Sequence, residues 1–226
     1  MYQEKSKDYF NNPRTDLIGL IPRNINNRIL EIGAGSGDTL VEIKKLKLAV
    51  EVVGVELVSL TDSQQENSEI DRLIIGNIEE IELDLPENYF DVIICGDVIE
   101  HLIDPWNVLR KLHKHLKNNG VLIVSIPNIR EYHILYRILI LADFKYGDRG
   151  IFDRTHLRFF CKKNILSLLA TTMYTPVTIY SIFKLEIKLT TKKIVDILTL
   201  GLIRDFLTAQ YIVVAKKGIR NNIELK

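Results

Sequence analysis

The sequence predicts an α/β domain in which a doubly wound, mostly parallel sheet is covered by helices on both faces. Short apolar runs of strand length alternate with segments that have helical spacing of apolar residues. Three glycines cluster directly after the first run. A hydrophobic content of 46% over 226 residues is enough for a substantial core. We therefore expect residues 1–226 to form one domain.

The first half of the chain provides the clearest alternation. Apolar runs predict five strands, at Arg28–Ile32, Glu51–Val55, Arg72–Ile75, Phe90–Cys95 and Val121–Ile126. Helical spacing predicts intervening helices at Thr39–Leu48, Ser59–Ser68 and His101–Leu116. The later, less regular part is expected to contain a helix at Lys162–Thr171, a strand at Val177–Phe183, a helix at Thr191–Leu207 and a strand at Gln210–Ala215.

Residues Glu131–Phe160 interrupt this alternation, and we expect them to form a cap inserted into the domain. The most apolar stretch of the chain, His133 to Phe144 (HILYRILILADF), lies within the cap. It includes Arg137 and Asp143 and is shorter than the roughly 20 apolar residues that span a bilayer. A buried helix or a lid over a site is the favoured interpretation, and contact with a membrane surface is the alternative.

Charge and cysteine content exclude several classes of protein. Thirty basic and 29 acidic residues give a formal net charge of +1, which provides no broad attraction to nucleic acid. Cys95 and Cys161 are too few for a disulfide framework or a thiolate metal site. The N-terminal residues MYQEKSKDYFNNPR lack the apolar core of a signal peptide. We expect a cytoplasmic protein without a transmembrane segment.

A glycine-rich loop joins the first predicted strand to the first predicted helix in ILEIGAGSGDT. Gly33, Gly35 and Gly37 permit a tight turn with positive φ and let a ligand approach bare backbone. The following helix offers unpaired N–H groups at its N-terminus. The loop therefore predicts a site for a small polar ligand.

The residues around the loop favour a ribose-containing ligand that lacks a phosphate. A dinucleotide fingerprint would need a third glycine at position 38, where Asp38 would repel a pyrophosphate, and no phosphate-loop lysine follows. Glu56, at the end of VVGVE, could accept hydrogen bonds from vicinal ribose hydroxyls, or could be an exposed strand-end carboxylate. Asn77 could contact an adenine edge and Ile78 its ring face, or the pair could belong to an ordinary turn.

Four segments together resemble a known family: LEIGAGSG, VVGVE, GNIEE and FDVIICGDVIEHLIDPW. In order and interval they are similar to motifs of class I S-adenosylmethionine-dependent methyltransferases. The resemblance implies a Rossmann-like sheet of seven strands, the last antiparallel and inserted between the fifth and sixth. It also implies S-adenosyl-L-methionine as the cofactor.

The same resemblance implies roles for individual residues. Gly33 and Gly35 would border the methionine part of the cofactor, Glu56 would bind the ribose, and Asn77 and Ile78 would contact adenine. Arg14 is similar in place to an arginine that pairs with the cofactor carboxylate in some relatives, and a surface charge is its alternative. The cofactor set is completed by neighbours at the same sheet edge, namely Gly37, Gly96 and Asp97.

Histidines are the candidates for acid–base chemistry, because an unperturbed imidazole titrates near neutrality. His101 follows the fourth strand, and His156 lies in the polar, aromatic stretch IFDRTHLRFF; His113 and His115 are expected to be solvated. Three interpretations stay open. In the first, His101 or His156 is a general base without a metal. In the second, Asp97, Glu100 and His101, which the i, i+3, i+4 spacing places on one helical face, bind a divalent metal jointly with His156. In the third, Glu100 and His101 cap a helix and His156 forms a structural hydrogen bond.

Two further segments, NNPRTDLIGLIP and GIFDRTHLRFFCKKNILSLL, concern the acceptor. They resemble methyltransferases that accompany glycosyltransferases in bacterial surface-polysaccharide synthesis, and DVIEHL resembles ubiquinone-type O-methyltransferases. The resemblance implies O-methylation of a sugar or other small-molecule hydroxyl, with a glycan or lipid-linked acceptor open. A non-catalytic S-adenosylmethionine-binding module and a nucleotide-dependent oxidoreductase are the alternatives. Nothing in the sequence indicates an oligomeric state.

Overall fold

A single twisted sheet organises the part of the chain that the computed structural model describes, namely residues 12–183, 198 and 203–218. Seven strands lie within these residues: β1 (Arg28–Ile32), β2 (Glu51–Glu56), β3 (Arg72–Ile75), β4 (Phe90–Gly96), β5 (Leu116–Pro127), β6 (Tyr174–Phe183) and β7 (Thr208–Lys217). Their order across the sheet is β3-β2-β1-β4-β5-β7-β6.

The direction of the strands confirms the predicted Rossmann-like arrangement. Strands β1 to β5 pair in parallel, whereas β7 runs antiparallel to both β5 and β6. The strand order reverses at β1, which lies between β2 and β4. Loops that leave β1 and β4 therefore diverge to opposite faces, and this opens a crevice at the carboxyl ends of the strands.

Six α-helices within the described residues complete the domain: α1 (Thr15–Ile18), α2 (Asp38–Lys45), α3 (Pro105–His115), α4 (Tyr132–Leu139), α5 (Lys162–Thr171) and α6 (Arg204–Leu207). Short 3-10 turns occur at Gln64–Glu66 and Ile99–His101. Most of the helix predicted at Thr191–Leu207 lies outside the described residues, and α6 covers its end.

Two apolar clusters, one on each face of the sheet, form the core. Leu40 and Ile43 of α2 pack with Val52 on one face. Leu109 and Leu112 of α3 pack with Ile93 on the other. Because both faces are covered, β4 reads as a continuous apolar run rather than an alternating one.

The predicted helix at Ser59–Ser68 is wrong, since only the 3-10 turn at Gln64–Glu66 forms there. The Gln65 side chain pins this segment to the glycine loop: its amide donates to the carbonyl of Gly35 at 2.7 Å and accepts from the N–H of Leu60 at 2.8 Å. These long-range bonds replace the backbone ladder of a helix.

The predicted helix at His101–Leu116 is right in kind but begins later, at Pro105. Asp104 caps it by accepting from the N–H of Asn107, and Pro105 occupies the first turn. Solvation of the two histidines on this helix was also a wrong expectation. His115 is buried with Nδ1 3.1 Å from the carbonyl oxygen of Pro86, and half-buried His113 contacts the carbonyl oxygen of Gly218.

The cap contains the expected helix, α4, but it is not a buried helix. None of its eight described side chains is buried, and Leu139 is 73% exposed. Among the described residues, no helix is long and apolar enough to span a membrane.

Candidate functional site

A cavity of about 660 Å³ opens at the carboxyl ends of β1, β2 and β4. Sequence-predicted residues that line it are Arg14, Gly33, Gly35, Glu56, Gly96, Asp97, Glu100, His101 and His156. The first six belong to what we term the loop end, and Glu100, His101 and His156 belong to the cap end. The topology thus brings residues that are far apart in the chain to one edge of the sheet.

The glycine loop adopts the backbone conformation that its composition predicts. Gly33, Gly35 and Gly37 have φ values of 71°, 54° and 86°, in the left-handed region. A Cβ atom on Gly33 would lie 2.5 Å from Cγ2 of Val98. Gly37 is the N-cap of α2 and packs near Ile70 rather than lining the cavity.

Glu56 is held by the backbone on both sides of its carboxylate. Oε2 accepts from the N–H of Gly35 at 2.8 Å, and Oε1 accepts from the N–H of Leu57 at 2.8 Å. Burial raises the pKa of Glu56, although these hydrogen bonds oppose the shift. Oε1 also accepts a longer bond from the N–H of Val58 at 3.4 Å, so the carboxylate is positioned to receive a further hydroxyl at Oε2.

Asp97 anchors a hydrogen-bond network across three strands. Its φ of 55° is unusual for a non-glycine residue. The carboxylate accepts from Arg14 Nη1 at 2.5 Å, from Ser125 Oγ at 3.0 Å and from the side-chain amide of Gln210. Desolvation raises the pKa of Asp97 despite the opposing charge of Arg14. The network fixes Asp97 at the end of β4.

Arg14 is engaged on two sides. Its Nε and Nη2 atoms donate to the carboxylate of Asp16 at 3.0 and 2.9 Å, in addition to the Asp97 contact. Burial alone would lower the pKa of Arg14, but these two carboxylates outweigh it and raise the pKa. The guanidinium is thus neutralised within the protein.

Glu31 of β1 lines the same end and was not singled out from the sequence. It is buried, and its Oε2 has no hydrogen-bond partner among the described residues. Burial raises its pKa to about 8, although a hydrogen bond from Thr39 opposes the shift. The sequence signal was an acidic residue in an otherwise apolar strand directly before the glycines.

The cap end brings Glu100, His101 and His156 together. Their potential ligand atoms all lie within 4.8 Å of one another, and His156 Nε2 is 3.9 Å from Glu100 Oε1. Glu100 is 2% exposed, and neither carboxylate oxygen has a hydrogen-bond partner within the described chain. Burial and the nearby Asp97 raise the pKa of Glu100 well above its ordinary value.

Backbone carbonyls orient both imidazoles. His101 Nδ1 lies 2.9 Å from the carbonyl oxygen of Thr155, and His156 Nδ1 lies 3.0 Å from that of Ile151. Because a carbonyl oxygen only accepts, each Nδ1 carries the hydrogen, and each neutral ring has its lone pair on Nε2. The cap therefore fixes the tautomers of both histidines.

The structure contradicts the predicted shared helical face and places two residues predicted to contact the cofactor outside the cavity lining. Asp97, Glu100 and His101 do not share a helical face, because Asp97 is left-handed and residues 99–101 form a 3-10 turn. Asp97 is accordingly outside the three-residue cluster. Asn77 and Ile78 do not line the cavity: Asn77 bonds to Glu80, and Ile78 is buried in the core. Their contact with adenine stays a prediction.

The ionisable side chains that line the cavity are predominantly carboxyl groups. Among the described lining residues, Arg14 is the only lysine or arginine, against six carboxyl groups: Glu31, Glu56, Asp97, Glu100, Glu131 and Asp153. Five of these, all but Asp97, are buried. A cationic ligand would favour their ionised forms, so such a lining favours a cationic ligand and disfavours an anionic one.

A family model described as a methyltransferase domain matches residues 5–177. This match covers most of the chain and includes every strand from β1 to β5. The chain belongs to this methyltransferase family. The cofactor of the domain is accordingly S-adenosyl-L-methionine.

Curated relatives of this methyltransferase domain are distant. It is 27% identical to the 27-O-demethylrifamycin SV methyltransferase of Amycolatopsis mediterranei over 46% of this chain and 40% of the relative. It is 28% identical to the ubiquinone biosynthesis O-methyltransferase of Rickettsia prowazekii over 53% of this chain and 47% of the relative. The chain thus matches about half the length, or less, of these relatives.

The fold is shared with solved methyltransferase structures. An S-adenosylmethionine-dependent methyltransferase from Archaeoglobus fulgidus superposes with a TM-score of 0.62 at 19% identity, covering 94% of this chain and 95% of that one. Identity this low relates the folds and leaves substrates open.

The loop end of this methyltransferase domain fits the chemistry of its cofactor. S-Adenosyl-L-methionine carries a sulfonium and an ammonium, and the acidic lining suits both cations. The buried Oε2 of Glu31 offers an acceptor to such a group. The residues present are therefore compatible with the cofactor.

Proposed function

We propose that the domain transfers the methyl group of S-adenosyl-L-methionine to a hydroxyl of a neutral small molecule or sugar. The observation that carries this proposal is the cluster of Glu100, His101 and His156 at the cap end. It places two imidazole lone pairs and a carboxylate in the cavity that the glycine loop also lines.

The cofactor supplies a methyl group that is already activated by the sulfonium. The protein aligns the acceptor and removes the proton from its hydroxyl. An Nε2 lone pair of His101 or His156 takes that proton as the carbon–oxygen bond forms and the methyl–sulfur bond would break. Glu100 Oε1 lies 3.9 Å from His156 Nε2, and an imidazolium there would favour the ionised form of Glu100, which stabilises that cation in turn.

The roles proposed for the loop end are those that the family resemblance implies. The bare backbone of Gly33 and Gly35 would lie beside the methionine portion, and Glu56 would accept from the ribose. Asp97 and Gly96 would border the methyl group at the end of β4. Arg14 acts through Asp97. One N–H of its Nη1 would remain for the cofactor carboxylate, because its other N–H groups donate to Asp16, Asp97 and Ser125.

Acidic lining also supports the choice of acceptor. Glu100, Glu131 and Asp153 are buried at the cap end, and no described lysine or arginine lines it, so a carboxylate or phosphate on the acceptor would be buried beside carboxyl groups without a cationic partner. A neutral polyol or phenol avoids this repulsion. The sequence resemblance implies polysaccharide or lipid-linked acceptors. These acceptors fit the cavity if the part that enters it is an uncharged sugar or ring.

Metal-assisted methyl transfer is a second candidate, and it has an observation of its own. The unpartnered oxygens of Glu100 and the two Nε2 atoms form a set that suits a divalent cation such as Mn²⁺ or Zn²⁺. Backbone carbonyls at both Nδ1 atoms are the outer contacts that metal-binding imidazoles usually have. Calorimetric titration with each metal decides between the candidates: binding that Glu100→Gln abolishes supports the metal, and no binding to wild type supports a base without one.

The test of the main proposal measures methyl transfer from radiolabelled cofactor to matched acceptors. Neutral glycosides and phenols should be methylated, whereas uronates and sugar phosphates should not. Replacing the responsible base by glutamine, in His101→Gln or His156→Gln, should lower kcat by roughly 10²- to 10⁴-fold. Affinity for S-adenosylhomocysteine should not change.

His113→Gln is the matched control, because His113 lies on α3 outside the cavity. It should leave kcat unchanged. Tight S-adenosylhomocysteine binding without transfer to any acceptor class would favour a binding module instead, and preferential NAD binding would favour an oxidoreductase.

We also propose that residues 1–226 act as one methyltransferase domain, with the cap at about residues 131–160 closing over the acceptor. Both cysteines are free thiols, which agrees with a reducing cytoplasmic location. Limited proteolysis tests the domain proposal: a single protected fragment is expected, with first cleavage outside the sheet.

A further inference from the structure

The cap has an inner face toward the cavity and an outer face toward solvent. Glu131, Ile134, Gly150 and Ile151 line the cavity, so the segment between Ile134 and Gly150 lies at its mouth. Backbone bonds tie this segment into one unit: Asp143 N–H donates to Arg137, and Gly147 N–H donates to Phe152. The backbone that carries the outer face is therefore held by hydrogen bonds beside the entrance for the acceptor.

Apolar side chains are concentrated on that outer face. Six of the 18 exposed large apolar side chains in the described chain fall within 11 consecutive residues, 136–146. We term these the cap face: Tyr136, Leu139, Ile140, Leu141, Phe144 and Tyr146. Leu139 and Ile140 are 73% and 69% exposed. A surface this apolar marks a place of contact.

Charge around the cap face indicates what it contacts. The exposed charged residues of the cap are four cations, Lys145, Arg149, Arg154 and Arg158, against one anion, Asp148. The net charge of this exposed set is +3, whereas the cavity beneath is acidic. Aliphatic residues and tyrosines flanked by lysine and arginine are typical of protein segments that lie in a membrane interface.

A second copy of the chain fits this surface less well. A two-fold contact would place the same four cations against each other, and that repulsion opposes association. An anionic bilayer instead complements both features, because it accepts apolar side chains and attracts the cations.

We propose that the cap face docks the domain on an anionic lipid bilayer, so that the mouth of the cavity opens at the membrane surface. The docking itself stands on the cap alone; that it serves an acceptor carried by a membrane lipid rests on the proposed function. The acceptor's reactive hydroxyl would then enter past Ile134 and Ile151.

Vesicle flotation with the full chain tests the docking. Wild type should bind vesicles of phosphatidylglycerol and phosphatidylcholine, and binding to phosphatidylcholine alone should be weaker. Leu139→Ser/Ile140→Ser should lower the partition coefficient about tenfold or more. Lys145→Glu/Arg149→Glu should lower it on anionic vesicles.

Matched controls change equally exposed residues at the opposite edge of the sheet. Ile25 and Val50, 58% and 52% exposed, precede β1 and β2, so Ile25→Ser/Val50→Ser should bind vesicles as wild type does. Arg23→Glu/Lys45→Glu is the charge control. Calorimetry with S-adenosylhomocysteine should give wild-type affinity for every variant, which separates docking from cofactor binding.

Three results would overturn the proposal. The first is an absence of vesicle binding by wild type, or equal loss in the controls. The second is equal binding to neutral vesicles. The third is self-association, or capture of another protein, that the Leu139→Ser/Ile140→Ser variant abolishes while vesicle binding is unaffected. Failure of S-adenosylhomocysteine binding together with intact docking would instead overturn the proposed function.

Discussion

The two ends of the cavity are built in different ways. At the loop end, Glu56 and Asp97 are fixed by hydrogen bonds from backbone and neighbouring strands. At the cap end, Glu100 is buried with both carboxylate oxygens unpartnered in the described chain, beside imidazoles whose tautomers are fixed. The loop end thus has the fixed carboxylates expected of a preorganised binding surface, whereas the cap end keeps a carboxyl group, that of Glu100, without a hydrogen bond among the described residues. That division fits binding at one end and chemistry at the other.

The largest effect expected at the loop end is a dependence of stability on pH through Glu31. Its folded pKa of about 8 exceeds the ordinary 4.5, so the folded state holds a proton that the unfolded state releases. The contribution of protonated Glu31 to the free energy of unfolding is therefore fully present below pH 4.5. It is lost as pH rises toward 8, by on the order of 1.4 kcal/mol per pH unit.

Glu31→Gln removes this titration. Urea unfolding of wild type and variant without cofactor should give free energies that diverge as pH rises from 5 to 8, with the variant more stable at pH 8. If the free energies of unfolding of wild type and variant changed in parallel with pH, Glu31 would be solvated or paired, and burial would not raise its pKa.

Gly33 and Gly150 sharpen the comparison, because both have positive φ at opposite ends of the cavity. A Cβ at Gly33 meets Val98 at 2.5 Å, whereas one at Gly150 meets nothing within 4 Å. Gly33→Ala should lower the free energy of unfolding by about 2 to 4 kcal/mol, from backbone strain plus the clash. Gly150→Ala should cost about 1 kcal/mol, from strain alone.

Thermal and urea unfolding measure these costs, and calorimetry should show that only Gly33→Ala abolishes S-adenosylhomocysteine binding. Equal costs at both positions would show that the loop relaxes and that close packing against Val98 is unimportant.

Carboxylates at the two ends should differ in their effect on cofactor binding. Glu56→Ala should weaken S-adenosylhomocysteine binding by about 1 to 3 kcal/mol, because the ribose loses its charged acceptor. Glu131→Ala, which removes a buried carboxylate from the cap end, should leave the affinity unchanged. An equal loss in calorimetry would mean that the ends are not functionally separate.

The smallest expected effect concerns α3, the helix that follows the 3-10 turn at Ile99–His101. Asp104→Ala removes the N-cap of α3 and should lower the free energy of unfolding by about 1 kcal/mol. Asp84→Ala changes a fully exposed aspartate that makes only a long ion pair, 3.8 Å from Arg72, and should have almost no effect. If the two substitutions had similarly small effects in urea unfolding, the hydrogen bond from the N–H of Asn107 to Asp104 would not stabilise α3.

The loop end could be read from the sequence because its determinants are local. Glycines that need positive φ, an apolar strand before them and a helix after them lie within about 20 residues. The antiparallel direction of β7 and its insertion between β5 and β6 followed from the family resemblance and are confirmed by the pairing. Helix α5 was predicted at its observed bounds.

The cap end could not be assembled in the same way. His101 and His156 were chosen as candidates, but their joint packing with Glu100 depends on the carbonyls of Ile151 and Thr155, which no local pattern encodes. Helical periodicity wrongly placed Asp97 beside Glu100 and His101, because Pro105 delays the helix. The helix predicted at Ser59–Ser68 failed for a similar reason, since the side chain of Gln65 bonds across to Gly35.

The position of β7 also determines when the site can be completed during synthesis. Strands β1 to β5 emerge first and can pair with one another, but β6 pairs only with β7 among the described strands. Gln210 of β7, which donates to Asp97, follows it by 113 residues. A growing chain can therefore form the parallel half of the sheet early, as N-terminal parts generally fold first. Its Asp97 network closes only after β7 leaves the ribosome, so this edge of the sheet is completed well after the parallel strands that form most of it.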